Sequence, residues 1–256
     1  MFRPRIIPVL LIRDGGLVKT IKFGDATYVG DPMNAVRLFN DLGADELVFL
    51  DIDAHKEGRT ISHELVKKIS AEASMPFSVG GGIRTLDDAR ALISAGAEKV
   101  VLNSITHKKP EVVTEISNVF GNQAVVVAID AKKDFLGRVR VAIGGGKDTQ
   151  GISPEAHAKK MEEMGAGEIL IQSIEHDGVG GGYDIALTRQ IADTVQLPVI
   201  ALGGAGKLED MREVVLHGGA SAAGAGSLFV FYGARRAVLV NYPSKEEKGE
   251  LFTPNS

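Results

Sequence analysis

Apolar residues along the chain fall into short, nearly unbroken runs separated by stretches with helical spacing. The runs are Arg5–Ile12, Glu46–Asp53, Pro76–Val79, Lys99–Asn103, Ala124–Asp130, Glu168–Ser173, Pro198–Leu202 and Ala220–Gly224. Near-continuous hydrophobicity of this kind is expected of parallel strands covered on both faces, since successive side chains then both meet apolar neighbours. Helices are expected over Pro32–Leu42, Ser62–Ala73, Asp87–Ala95, Pro110–Val119, Pro154–Met164, Ile185–Val195 and Leu208–Leu216, with a last one after Gly233. Pro32, Pro110 and Pro154 stand at or near first turns, where a missing N–H costs nothing, and Gly43, Gly96, Gly121, Gly165 and Gly218 follow helix ends.

Eight strand–helix units of such even length close most naturally into one α/β domain, a (β/α)8 TIM barrel. An open doubly wound sheet is the alternative, but it does not usually repeat so regularly. Residues 1–243 are assigned to the barrel, and 244–256 to a charged tail with a short helix and a frayed end. The halves also match at an offset of 122 residues: Gly43-Ala44 falls on Gly165-Ala166, Pro76 on Pro198, Gly81-Gly82 on Gly203-Gly204 and Gly96 on Gly218. This reads as a half-barrel internal duplication and predicts a site with pseudo-two-fold symmetry.

Composition narrows the function classes. The chain has 256 residues, a net charge of −4 and no cysteine. The acidic balance argues against nucleic acid and membrane partners, and the missing cysteine excludes disulfides, thiolate nucleophiles and cysteine-ligated metals. No apolar stretch is long enough for a membrane span, and the expected compartment is the cytosol. The six histidines have no metal-ligand spacing; His63, His157 and His217 fall on helices and are expected at the surface. No metal and no cofactor is expected.

Two glycine clusters, at Gly80-Gly81-Gly82 and at Gly203-Gly204-Ala205-Gly206, follow the third and seventh strands. Each is followed one strand later by a small polar turn, Asn103-Ser104 and Gly226-Ser227. Glycine lets backbone N–H groups come close to a phosphate, and barrels often bind phosphate after strands 7 and 8. Two symmetric copies favour a phosphorylated ligand over plain tight turns. Carboxylates at strand C-terminal ends are Asp51, Asp53, Asp130, Glu175 and Asp177, on the face where barrel enzymes carry their chemistry. Asp130 is either a catalytic group or a cap on its loop. Arg5, Glu46, Lys99 and Glu168 stand at four strand starts; they are either solvated strand ends or a salt-bridged ring across the barrel floor.

Taken together, these segments resemble the cyclase subunit of imidazole glycerol phosphate synthase, HisF, over nearly the whole chain. The resemblance is carried by Arg5-Ile6-Ile7-Pro8, Asp45–Ile52, Val79–Arg84, Val127–Lys132, Gly165–Leu170 and Gly203–Gly206. It implies a half-duplicated barrel whose floor receives ammonia from a glutaminase (HisH-like) partner and passes it to a doubly phosphorylated substrate. It further implies an ammonia gate at Arg5, Glu46, Lys99 and Glu168, with Glu98 at the partner interface. Phosphate contacts are implied at Gly82, Asn103, Asp177, Gly178, Gly204, Gly226 and Ser227, and Lys19 matches a first-loop lysine of the site. Of the family's two catalytic aspartates, Asp130 is present and the strand-1 position is Leu11. The segment Leu228–Pro243 is also unusual.

These departures resemble a branch of HisF-like paralogues associated with sugar amidation in surface-polysaccharide pathways. That resemblance implies a barrel supplying ammonia to a separate ATP-dependent amidase. The alternatives are a cyclase of histidine biosynthesis and a non-catalytic scaffold for the glutaminase.

Overall fold

The computed structural model describes residues 4–233 and 235–253. Eight parallel strands form the barrel: β1 (Arg5–Arg13), β2 (Leu47–Asp51), β3 (Phe77–Gly80), β4 (Lys99–Leu102), β5 (Val125–Lys133), β6 (Glu168–Ser173), β7 (Val199–Leu202) and β8 (Ala222–Ala225). Each pairs with its sequence neighbour, and β8 pairs with β1, so the sheet closes without an edge. The (β/α)8 TIM barrel expected from the sequence is the observed fold.

Seven helices pack outside: α1 (Pro32–Asp41), α2 (His63–Glu72), α3 (Leu86–Ser94), α4 (Glu111–Phe120), α5 (Pro154–Glu163), α6 (Ile185–Thr194) and α7 (Leu208–Leu216). Phe39, Ile69, Leu92, Ile116, Met161, Ile191 and Met211, one from each helix, join a single outer core with the outward faces of the strands. A second, smaller apolar cluster lies inside the barrel and includes Ile7, Val9, Val48, Val101, Val126, Ala128, Leu170 and Ile200. The strands are therefore apolar on both faces, which is why their sequence runs do not alternate.

Two antiparallel excursions were not anticipated. Gly16–Lys19 and Thr27–Gly30 fold back from β1, and Val139–Ile143 folds back from β5. They follow the first strand of each half, so the duplication extends to these hairpins.

The helix expected after Gly233 is absent from the described residues. A four-residue helical turn (Ser227–Val230) leads instead into a hairpin of Phe231–Tyr232 with Ala237–Val238. Gly233 and Arg236 take positive φ, which breaks helical propagation, and the β-branched Val238 and Val240 favour extended chain. The chain then runs back along the turn, with Leu239 N–H bonded to Val230 O and Asn241 N–H to Phe229 O, both at 3.0 Å. Phe229 and Tyr242 fill the place of an eighth helix. A final helix, α8 (Lys245–Leu251), is capped by Ser244. The frayed end expected after it falls on residues 254–256, outside the described residues.

His157 is not at the surface. It is buried in α5, with Nε2 3.0 Å from the Thr106 hydroxyl. Burial, helped by the charges of His107 and Lys160, lowers its pKa to about 4. Below pH 6.5 the unfolded chain takes up a proton that the folded chain refuses, so this group's contribution to stability declines as pH falls from 6.5 toward 4. The loss should be on the order of 2–3 kcal/mol. Denaturant unfolding of wild type and His157→Gln across that range should show a shallower pH slope in the variant.

Candidate functional site

The strand starts carry a closed ring of charge. Arg5 bonds Glu46 at 2.5 Å and Glu168 at 3.2 Å, and Lys99 Nζ lies 3.1 Å from each of the same two carboxylates. Ser78 on β3 donates to Glu46 at 3.1 Å, a member that the charge pattern could not reveal. Of the two readings left open by the sequence, solvated strand ends are excluded: Glu46 is 3% exposed and every charge is paired across the axis. Burial works against the Arg5 charge, but Glu168 and Glu46 outweigh it and raise its pKa. Glu168 Oε2 is buried and has no hydrogen-bond partner among the described residues. Glu98, next to the ring lysine, is exposed and accepts from the Phe77 N–H at 2.6 Å.

Above the ring lies the inner apolar cluster, and above that two cavities open at the C-terminal face. The larger, of about 330 Å³, is lined by Leu11, Gly81, Gly82, Asn103, Ser104 and Asp130 together with Leu50, Arg84, Lys108 and Gln172. The smaller, of about 40 Å³, is lined by Lys19, Asp177, Gly178, Gly203, Gly204, Gly226 and Ser227. Leu11, Thr20 and Gln172 line both. The candidate residues at the strand ends are thus brought together in two adjoining groups, each built mainly from one half of the duplication and completed by the other, with Asp130 in the first and Lys19 in the second.

Local geometry explains the glycines. Gly82 has φ +68°, and a Cβ there would sit 1.8 Å from the Arg59 carbonyl; Gly204 has φ +113°, with a Cβ 2.0 Å from the Gly182 carbonyl. Neither position admits a side chain, which leaves the backbone as the wall facing each cavity.

The titratable groups divide unequally. Asp51 is tied to Arg59 at 2.5 Å, and Asp53 to Arg13 at 2.5 Å and Lys56 at 2.7 Å, so both hold loops together. Glu175 pairs with Lys133. Asp130 is different: among the described residues its side chain takes a single hydrogen bond, from Asn103 Nδ2 at 3.1 Å, and burial pushes its pKa up to about 7. Asn103 in turn accepts from the Ser104 hydroxyl, which accepts from the Gly144 N–H. This relay is invisible in the sequence because its members come from β5, the β4 loop and a hairpin.

In the other half, Leu11 pairs with the returning hairpin strand at Val18, as Asp130 does at Ala142. The two residues therefore hold corresponding places, one with a carboxylate and one without. Lys19 is buried, donates to Val9 O at 2.6 Å, and has its pKa lowered to about 8 by burial, against the opposing pull of Asp177. Gln172 and Thr20 both donate to Asp177, joining the β1 and β6 loops. Burial raises the Asp177 pKa despite these contacts.

A charged floor ring and paired glycine-walled cavities at the mouth define an α/β barrel of half-duplicated type. A profile of histidine biosynthesis proteins matches residues 5–235, and the chain belongs to that family. It is 47% identical to the putative imidazole glycerol phosphate synthase subunit HisF of Leptospira interrogans, over 98% of this chain and 100% of the relative. It is 45% identical to the putative subunit hisF2 of Pseudomonas aeruginosa, over 95% and 97%. It is also 45% identical to the imidazole glycerol phosphate synthase subunit HisF of Alkaliphilus metalliredigens, over 90% and 91%. No helix among the described residues is long and apolar enough to cross a membrane.

Between about pH 4 and 7 the unfolded chain loses the Asp130 proton while the folded chain keeps it. Stability contributed by this group therefore falls as pH rises through that window. Asp130→Asn keeps an acceptor for Asn103 without the buried charge. At pH 8 it should be more stable than wild type by on the order of 1–3 kcal/mol, with the difference vanishing near pH 4. Thermal unfolding at the two pH values measures it.

Proposed function

We propose that the chain is the barrel subunit of a glutamine-dependent amidotransferase assembly. It accepts ammonia from a glutaminase docked on the N-terminal face and passes it along the barrel axis. The acceptor chemistry is amidination of an N-acetyl sugar nucleotide by a separate ATP-dependent amidase, in lipopolysaccharide or O-antigen synthesis. The observation that carries this reading is a complete floor ring beneath a mouth that has lost one of its two carboxylates. Leucine transfers no proton, and loss of one positioned acid or base removes about 10²–10⁴-fold in rate. Cyclisation chemistry needs both ends of that pair; ammonia delivery needs only the floor and the passage.

In this reading Arg5, Glu46, Lys99 and Glu168 form the gate, and the unpartnered Glu168 oxygen is an acceptor available to an N–H donor. The apolar inner cluster suits a small neutral molecule and disfavours an ion. Glu98 offers an acid to a basic residue of the glutaminase. Asp130 and Lys19 are the candidate catalytic groups of the mouth. The glycine walls with Asn103, Ser104, Asp177, Gly178, Gly226 and Ser227 hold a phosphorylated molecule or an anion.

A cyclase of histidine biosynthesis is the second reading, favoured by the names of the relatives. Complementation of a strain lacking the cyclase separates the two. No growth without histidine is expected, and growth would establish the cyclase.

Lys99→Met leaves both ring glutamates short of counter-charge. In the reconstituted assembly glutamine hydrolysis should continue while amidinated sugar per glutamate released falls several-fold. Excess ammonium should restore the product. An unchanged ratio with glutamine would leave only a scaffold.

Inorganic phosphate should bind at Gly204 and Ser227, and at Gly82 beside Asn103, in crystals grown with it. Gly204→Ala should empty the smaller site and spare the larger, because the added methyl meets the Gly182 carbonyl at 2.0 Å and His176 at 3.2 Å, neither of which lines the larger cavity.

A further inference from the structure

The segment after β8 departs from the helical pattern of every other unit, and its far end reaches the barrel floor. The Tyr242 hydroxyl donates to Ile6 O at 2.9 Å and accepts the Asp45 N–H at 3.1 Å. Asp45 Oδ2 accepts the Ile6 N–H at 3.0 Å. Lys248, 5% exposed, donates to Gly43 O at 2.8 Å and Asp45 Oδ1 at 2.9 Å, with its ammonium 4.8 Å from the Tyr242 ring. Ile6 follows Arg5 and Asp45 precedes Glu46. Two ring members therefore sit one residue from backbone or side-chain groups that the C-terminal segment grips.

We propose that Asn241–Leu251 is a clamp on the floor ring, with Tyr242 and Lys248 as positioning residues that fix β1 against β2 and so hold Arg5 on Glu46. The clamp itself rests on geometry, while its consequence for ammonia rests on the reading of the ring as a gate. Within 3.2 Å of its partners on both sides, Arg5 has little tolerance for sliding. A shift of β1 relative to β2 lengthens the Arg5–Glu46 contact first, and that releases the Glu46 carboxylate that Lys99 shares.

The phenyl ring of Tyr242→Phe still packs against Phe39 and Phe229, and the variant lacks only the hydroxyl. Tyr183→Phe is the matched control, since it removes a buried hydroxyl bonded to Gly224 O at 2.9 Å at the other end of the barrel. The readout on the isolated chain is hydrogen exchange of the Lys99 side-chain ammonium, followed by 15N NMR. Tyr242→Phe loses two hydrogen bonds, of which the ring feels a share worth about one, so it should speed the exchange about fivefold to tenfold, and Tyr183→Phe should leave it unchanged. Lys248→Met should act in the same direction. If both floor variants lower Tm as the control does but leave Lys99 exchange at the wild-type rate, the segment is ordinary packing and the clamp is overturned. In the reconstituted assembly, amidinated sugar per glutamate should fall with Tyr242→Phe and recover with excess ammonium. Faster Lys99 exchange with an unchanged ratio would retain the clamp and overturn the gate.

Discussion

Arg5, Glu46, Lys99 and Glu168 are charges withdrawn from water, and such a group is tolerable only where each charge meets its opposite. Four strands from around the barrel must therefore start at matched heights, because a displacement of any one leaves a neighbour unpaired. The ring ties the register of β1 to those of β2, β4 and β6 before any loop chemistry is considered. It also separates the lumen into a polar floor and an apolar shaft, the arrangement from which the mouth then departs.

At the mouth the two halves are no longer equivalent. Asp130 keeps an acid in a largely apolar enclosure, held by Asn103, while Leu11 extends the apolar wall in the corresponding place. The cavities diverge accordingly, one of about 330 Å³ and one of about 40 Å³. The smaller is bounded by the buried Lys19 and the half-buried Asp177, so a cation already faces an acid there before any ligand arrives. The larger has Arg84 and Lys108 at its wall and only Asp130 as an acid not committed to an ion pair.

Much of the barrel was legible because both faces of every strand are buried, which turns each strand into an apolar run flanked by helical punctuation. The floor ring was half legible. Charge at strand starts could be seen, but whether the four faced solvent or one another depended on barrel closure, a long-range fact. The hairpins after β1 and β5 escaped notice because their strands are short and their pairing partners are barrel strands already assigned. The helix expected directly after Gly233 was misread: the apolar run Ala237–Val240 is consistent with a buried helix face, yet positive φ at Gly233 and Arg236 turns the chain back on itself. His157 was misplaced because helical position alone does not say which side of α5 meets the barrel. The contacts of Tyr242 and Lys248, more than 190 positions from their partners, carry no local signal at all.

α8 docks beside Gly43 and Asp45 through Lys248, at the pole where β1 begins, and the chain then runs on to Leu251 and Thr253, whose carbonyls accept from Arg212 of α7. This segment thus spans from the β1–β2 side to α7 and straddles the seam where the barrel closes, β8 against β1. A sheet without an edge is laced at that seam by residues from the far end of the sequence, so the cylinder is not fully tied until this segment is in place.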